Sequence, residues 1–248
     1  MRWLPACVRR LGPIEFEHGA GLLLWVLDCM NDAVFVPRVE ILDAQETRVG
    51  FLRIKSLRLR HGLFQGGMGP ELRRDRLEGL GAASVLLYDP ALDQVVLLEQ
   101  FRIGALEAGS GAWLLETVGG HIGPGELAPE VARRESMEEA GAQLLELIPI
   151  CRFYVSPGLS DEVISLFCGL VDASLLGGVH GLDDEGEDIR VLVMDARAAI
   201  GELYHGRANS TSVIIALQWL AMHRQRLMAQ IQGKRLDPQD FNGRIAPS

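Results

Sequence analysis

The stretch 119-GGHIGPGELAPEVARRESMEEAGA-142 puts three glutamates, Glu135, Glu138 and Glu139, within five positions, behind Arg134 and a glycine loop. Its punctuation predicts a helix over about 128–140. Pro129 is tolerated because it falls in the first turn, and Gly141 is placed to terminate the helix. A helix advances about 100° per residue, so the three glutamates share one arc with Arg134 beside it. Charged helical faces are commonly just solvated surface. Here, however, like charges repel at this spacing, and near a helix C-terminus they also oppose the dipole. The arrangement is unfavourable unless a cation is present, and a cluster of carboxylate oxygens suits Mg²⁺ or Mn²⁺ better than zinc.

Working outward, the chain shows no internal repeat and no low-complexity linker. Alternating patches within 36–59 predict half-buried strands, and 61-HGLFQGGMGP-70 reads as a turn. Apolar runs at 83–89 and 94–101 predict two strands joined by a hairpin turn at 90-PALD-93, and 112-AWLLETVGG-120 a third strand. Further strands are expected within 144–156, 162–173 and 188–195. Residues 210–227 have the pattern of an amphipathic helix, with Asn209 or Ser210 as its N-cap. Strands and helices mixed without regular βαβ alternation point to an α+β fold or a sandwich with mixed sheets. The segment 21-GLLLWVL-27 is too short to span a bilayer and reads as a buried strand or core segment.

With 248 residues, 48% hydrophobic and 23% charged, the chain has the composition of a globular protein with a real core. Its formal charge of -9, with no long basic run, argues against a nucleic-acid footprint. No membrane association is expected. Cys7, Cys29, Cys151 and Cys168 form no CxxC pair, which suggests neither zinc nor disulfides and fits a reducing cytoplasm. The histidines lack metal-ligand spacing.

The spacing of Gly120, Glu126, Arg134, Glu135, Glu138, Glu139 and Gly141 resembles the Nudix box. Two box positions that are usually apolar hold Ser136 and Ala142. The likeness extends over about residues 50–230, through LLEQFRIGAL, FYVSPGLSDE, HGLDDEGEDIRV and SVIIALQWL, and is to the bacterial ADP-ribose pyrophosphatase subgroup. Pro157, sixteen positions beyond Gly141, matches a proline that marks the subgroup. The resemblance implies a Nudix α/β/α sandwich with mixed β-sheets over residues 78–232. A β-rich dimerisation region over 1–77 would precede it (1–35 unassigned), and a polar tail would follow at 233–248.

It also implies Mg²⁺-dependent hydrolysis of ADP-ribose to AMP and ribose 5-phosphate by a homodimer, with Mn²⁺ as a substitute cation. In that picture the metal is held by Glu135, Glu139, an assisting Glu138, the Gly119 carbonyl and Glu187. Arg134 and Glu126 tie the loop to the helix. Glu185, in the acidic loop, matches the general base; taken alone such a loop is solvated surface. Glu162 matches a substrate or catalytic-loop glutamate, against the alternative of a strand-start charge. Substrate contacts fall to Arg102, Pro157, Gly158 and the pair Arg73 and Arg74, the pair often delivered from a partner subunit. Arg102 has a second reading as a strand-end ion pair with Glu99. Asp75 stands where the family has glutamate and Gly79-Leu80 where it has arginine-glycine, so other nucleotide sugars such as GDP-mannose stay open. A non-catalytic ADP-ribose-binding regulator is the reading from another class.

Overall fold

The computed structural model describes residues 38–231 apart from 80, 110 and 183–185. The apolar segment at 21–27, the unassigned N-terminal residues, Glu185 and the polar tail therefore lie outside the described residues. The described residues form two compact units, one made of the segment up to Ala44 together with Leu57–Arg74, the other of Gln45–Ser56 together with the residues from Asp75.

Strands β1 (Val39–Val49), β2 (Leu52–His61) and β3 (Leu72–Leu77) make a three-stranded sheet in that order. Within the first unit the expected turn at 61–70 closes through a bridge between Gly62 and Met68. Gly66 and Gly67 supply φ of 95° and 78°, which a side chain resists. Arg58 and Glu71 pair at 2.8 Å. Within this unit Val39, Ile41 and Leu42 of β1 are exposed apolar side chains.

The second unit is organised by an eight-stranded mixed sheet. Its strands are β4 (Ala82–Asp89), β5 (Gln94–Phe101), β6 (Trp113–Glu116), β7 (Val118–His121), β8 (Glu146–Tyr154), β9 (Val163–Leu170), β10 (Gly178–His180) and β11 (Ile189–Asp195). The order runs β10-β11-β5-β4-β9-β8, with β6 on β5 and β7 on β4; only β4 and β9 pair in parallel among the registers described. Three helices accompany it: α1 (Ala128–Ala140), α2 (Ala196–His205) and α3 (Thr211–Ile231).

Alternation along the strands divides the core. Leu86, Tyr88, Val95 and Leu97 face Ala196, Ala199, Val213, Leu217 and Leu220 of α2 and α3. Val85, Leu87, Val96 and Leu98 face Val131, Ala132 and Ala140 of α1. Because both faces of β4 and β5 are covered, both read as unbroken apolar runs rather than alternating ones. The β4–β5 hairpin is tied at its turn. Asp89 Oδ1 accepts from the Ala91 and Leu92 N–H groups at 2.8 and 3.0 Å, and Arg224 forks onto Asp93, with Nε to Oδ1 at 2.6 Å.

Strands β3 and β10 and helix α2 have no counterpart among the elements expected from sequence, and one expected strand divides. The strand expected at 112–120 is two strands: β6 pairs with β5 and β7 with β4, and Thr117 between them bonds to Ser84 Oγ at 2.6 Å. No proline or turn signal falls at 116–118, so the sequence does not mark the division. Helix α2 was not expected. It follows β11 directly, and Asp195 caps it by accepting from the Arg197 and Ala198 N–H groups.

Candidate active site

The site is built where β7 leaves the sheet and α1 returns beneath it. Helix α1 begins after Leu127, whose N–H donates to Glu130 Oε2 at 3.1 Å, and ends at Gly141 with φ 62°. Ser136 is fully buried, and its hydroxyl is satisfied by the Ala132 carbonyl at 2.7 Å, so the polar residue at a usually apolar position costs no unpaired group. The loop before the helix is closed by Glu126 Oε2, which accepts from the Gly123 N–H at 2.8 Å.

Glu139 lies only 3% exposed, with Oε2 accepting from the Gly119 N–H at 2.8 Å. Burial, and then the nearby negative charges of Glu135 and Glu187, push its pKa from 4.5 up to about 8, against the opposing pull of the Gly119 hydrogen bond and Arg102. Glu135 is raised too, by burial first and with Glu138 and Glu187 adding to it, while Arg134 opposes. The three carboxylates of Glu135, Glu139 and Glu187 are therefore close enough to feel one another in a poorly solvated place. Gly120 permits this placement of Glu135, since a Cβ on it would displace the Glu135 carboxylate. Such a group of hard oxygen donors suits a divalent cation chemically. Among the described residues no group of three or more acidic, histidine or cysteine side chains is arranged to hold a metal ion. Arg134 pairs with Glu126 at 3.5 Å, Glu135 at 2.9 Å and Glu138 at 2.8 Å. The expected tie between loop and helix thus also engages two of the expected ligands.

Glu187 stands at the neck of the acidic loop, its Oε2 accepting from the Leu182 N–H at 3.2 Å. A Cβ on Gly181 would lie 2.7 Å from the Glu187 Cβ, so glycine permits the neck to close. His180, just before it, lies against Gly141 at the end of α1 and bonds to the Gly177 carbonyl at 2.9 Å.

Beside the carboxylates opens a cleft of about 420 Å³, a size suited to a small ligand. Its lining includes Arg102, Glu116, Gly119, Gly120, His121 and Glu162. A second cavity, about 530 Å³, shares His121 and Glu162 and adds Arg48, Phe51 and Arg53. Glu162 is held between segments: its Cβ sits 2.6 Å from where a Cβ on Gly79 would be, and the Gly79 N–H donates to Asp161 at 2.8 Å.

The Glu99 alternative for Arg102 is overturned. Positions three apart on a strand point to opposite faces. Glu99 is taken by Arg190 and Arg207, whereas Arg102 Nε donates to Glu116 Oε2 at 2.7 Å. Pro157 and Gly158 lie on the exposed surface in a turn where Leu159 and Ser160 donate to the Ser156 carbonyl, and the lining of neither cavity includes them. Arg73 and Arg74 are exposed on β3, and Arg74 donates to the Arg73 carbonyl. Asp75 accepts from Ser56 Oγ at 2.6 Å.

Glu116, Gln100 and the run 209-NSTS-212, all near or lining the cleft, were not singled out from sequence. Glu116 could have been suspected as the lone acidic group ending an apolar strand. Asn209–Ser212 reads in sequence only as a helix start.

The chain belongs to the NUDIX domain family, which matches residues 80–212. It is 43% identical over 189 residues to the ADP-ribose pyrophosphatase of Escherichia coli (strain K12), covering 76% of this chain and 90% of that protein. To the GDP-mannose pyrophosphatase of Escherichia coli (strain UTI89 / UPEC) it is 30% identical over 153 residues, 60% of this chain and 78% of that one. A solved structure described as an ADP compounds hydrolase superposes with a TM-score of 0.56 at 18% identity, covering 80% of this chain and 97% of that chain, a likeness of fold. Among the described residues no helix is long and apolar enough to cross a membrane.

Proposed function

We propose that this protein hydrolyses the diphosphate of ADP-ribose to AMP and ribose 5-phosphate with Mg²⁺, Mn²⁺ being able to substitute. The observation that carries the chemistry is the buried Glu139, gripped by the Gly119 N–H and crowded by Glu135 and Glu187 beside a cleft that Arg102 lines. The higher and longer identity to an ADP-ribose pyrophosphatase than to a GDP-mannose pyrophosphatase favours ADP-ribose as the substrate.

In this reading Glu135, Glu139, Glu187 and the Gly119 carbonyl hold the cation, with Glu138 assisting once released from Arg134. Mg²⁺ would supply positive charge against the diphosphate and a more acidic water. Arg102 offers its planar guanidinium to a phosphate from the cleft wall. Glu162 faces the same space and positions the substrate. Glu185 is assigned, on the sequence resemblance, the removal of a proton from the attacking water, a role worth roughly 10²–10⁴ in rate. Arg73, Arg74, Pro157 and Gly158 keep their proposed substrate contacts, which the assembled homodimer would complete. The exposed apolar residues of β1 suit that dimer, built through residues 1–77 with 78–232 as the catalytic domain and 233–248 as a tail. A cytoplasmic location goes with the same reading.

The test is kcat/KM across ADP-ribose, GDP-mannose and other nucleotide sugars, with Mg²⁺ and with Mn²⁺, identifying the products. Preference for ADP-ribose with release of AMP is the expected result. Preference for another sugar would reassign the substrate, and ADP-ribose binding without AMP release at saturating Mg²⁺ would make the protein a regulator.

A further inference from the structure

We infer that Glu116 is a positioning residue that works through Arg102, holding its guanidinium so that the two terminal nitrogens serve a phosphate in the cleft. The inference rests on the reading of the cleft as a diphosphate site. On β5, Leu98, Gln100 and Arg102 follow the strand period and share a face, or its continuation just past Phe101. The register sets Glu116 of β6 directly opposite Leu98, so its side chain lies diagonal to Gln100 on that face. The consequence is a three-residue clasp. Glu116 Oε2 accepts both from Arg102 Nε at 2.7 Å and from Gln100 Nε2 at 3.1 Å.

The environment makes the clasp effective. The Glu116 side chain is 16% exposed against 47% for Arg102, so the carboxylate is the fixed member and the arginine the presented one. Gln100 is buried, at 7%. Arg102 uses only Nε in this contact; its terminal nitrogens have no hydrogen-bond partner among the described residues. Both Arg102 and Glu116 line the cleft with Gly119 and Gly120, and Arg102 is near enough to Glu139 to oppose the rise in that carboxyl's pKa. A guanidinium clamped at Nε keeps its planar outer edge available for bidentate contact with phosphate oxygens, with less orientational freedom to lose on binding. Without Glu116 the same arginine keeps its charge but loses its aim.

The discriminating experiment is a double-mutant cycle of Glu116→Gln and Arg102→Ala, each variant checked for folding by thermal unfolding. Charge-assisted hydrogen bonds of this kind suggest that Glu116→Gln raises KM by roughly tenfold to a hundredfold, while Mg²⁺ activation stays at the wild-type concentration. The double variant should be no worse than Arg102→Ala alone, because the carboxylate acts through the arginine. Additive losses would overturn the inference, as would a shift in the Mg²⁺ requirement, since either makes Glu116 act on its own. The cycle is run on whichever nucleotide sugar the wild type cleaves fastest, and in parallel on the binding of inorganic pyrophosphate with Mg²⁺ by calorimetry. If ADP-ribose is not cleaved, the proposed substrate fails while the cycle still decides the role of Glu116. Loss of pyrophosphate binding in Arg102→Ala but not in Glu116→Gln would also overturn it.

Discussion

Replacing Glu139 with glutamine should stabilise the metal-free protein, and more strongly as pH rises. Glu139 has its pKa raised from 4.5 to about 8, so between those values the folded state keeps a proton that the unfolded chain releases. Stability from this group is therefore fully present below the unfolded pKa and is lost as pH climbs to the folded one. At about 1.4 kcal/mol per pKa unit, the loss between about pH 5 and pH 9 comes to about 4 kcal/mol. Glutamine is isosteric, its amide oxygen can still accept from the Gly119 N–H, and it does not titrate. For a chain of this size the difference amounts to ~10 °C in Tm across that range. The assay is thermal unfolding of both proteins in EDTA at several pH values. The wild-type Tm should fall away from the variant's as pH rises. Adding Mg²⁺ at high pH should raise the wild type and leave the variant where it was, because ligand binding stabilises only the state that binds. Parallel pH curves in EDTA would refute the reasoning, since they would mean that Glu139 ionises as freely in the fold as outside it.

Cation affinity should share this origin. Binding must displace the Glu139 proton, so calorimetric Mg²⁺ affinity should weaken by up to about tenfold per unit as pH falls below 8 and level off above it. Gly120→Ala should cut kcat/KM by roughly a hundredfold or more by displacing the Glu135 carboxylate, with near-normal circular dichroism; an active variant would remove the close approach from the account. Arg224→Ala should destabilise the fold by about 2 kcal/mol in denaturant titration, because it leaves Asp93 at the hairpin turn with only the Tyr88 hydroxyl, yet leave kcat/KM of the folded enzyme unchanged. Light scattering should find a dimer, and Ile41→Glu should shift it toward monomer; an unchanged mass would clear β1 of the interface.

Helix α1 was legible from sequence because its signals are local. Proline in the first turn, glycine at the end and glutamates on one arc all follow from helical geometry within a single segment. The β4–β5 hairpin was legible for the same reason: its turn residues and apolar runs are contiguous. Sequence alone therefore determined that a carboxylate cluster sits behind a glycine loop, and its spacing determined the family. What it could not determine depends on residues far apart along the chain. The partner of Arg102 is Glu116 rather than Glu99 because strand pairing between β5 and β6 brings them together. The division of 112–120 into two strands depends on which neighbours those residues meet. The proton affinity of Glu139 likewise belongs to the fold, since only packing against the sheet and the approach of Glu187 remove water and add charge. Spacing along a helix is written residue by residue, whereas register, burial and the company a charge keeps exist only once the sheet has formed.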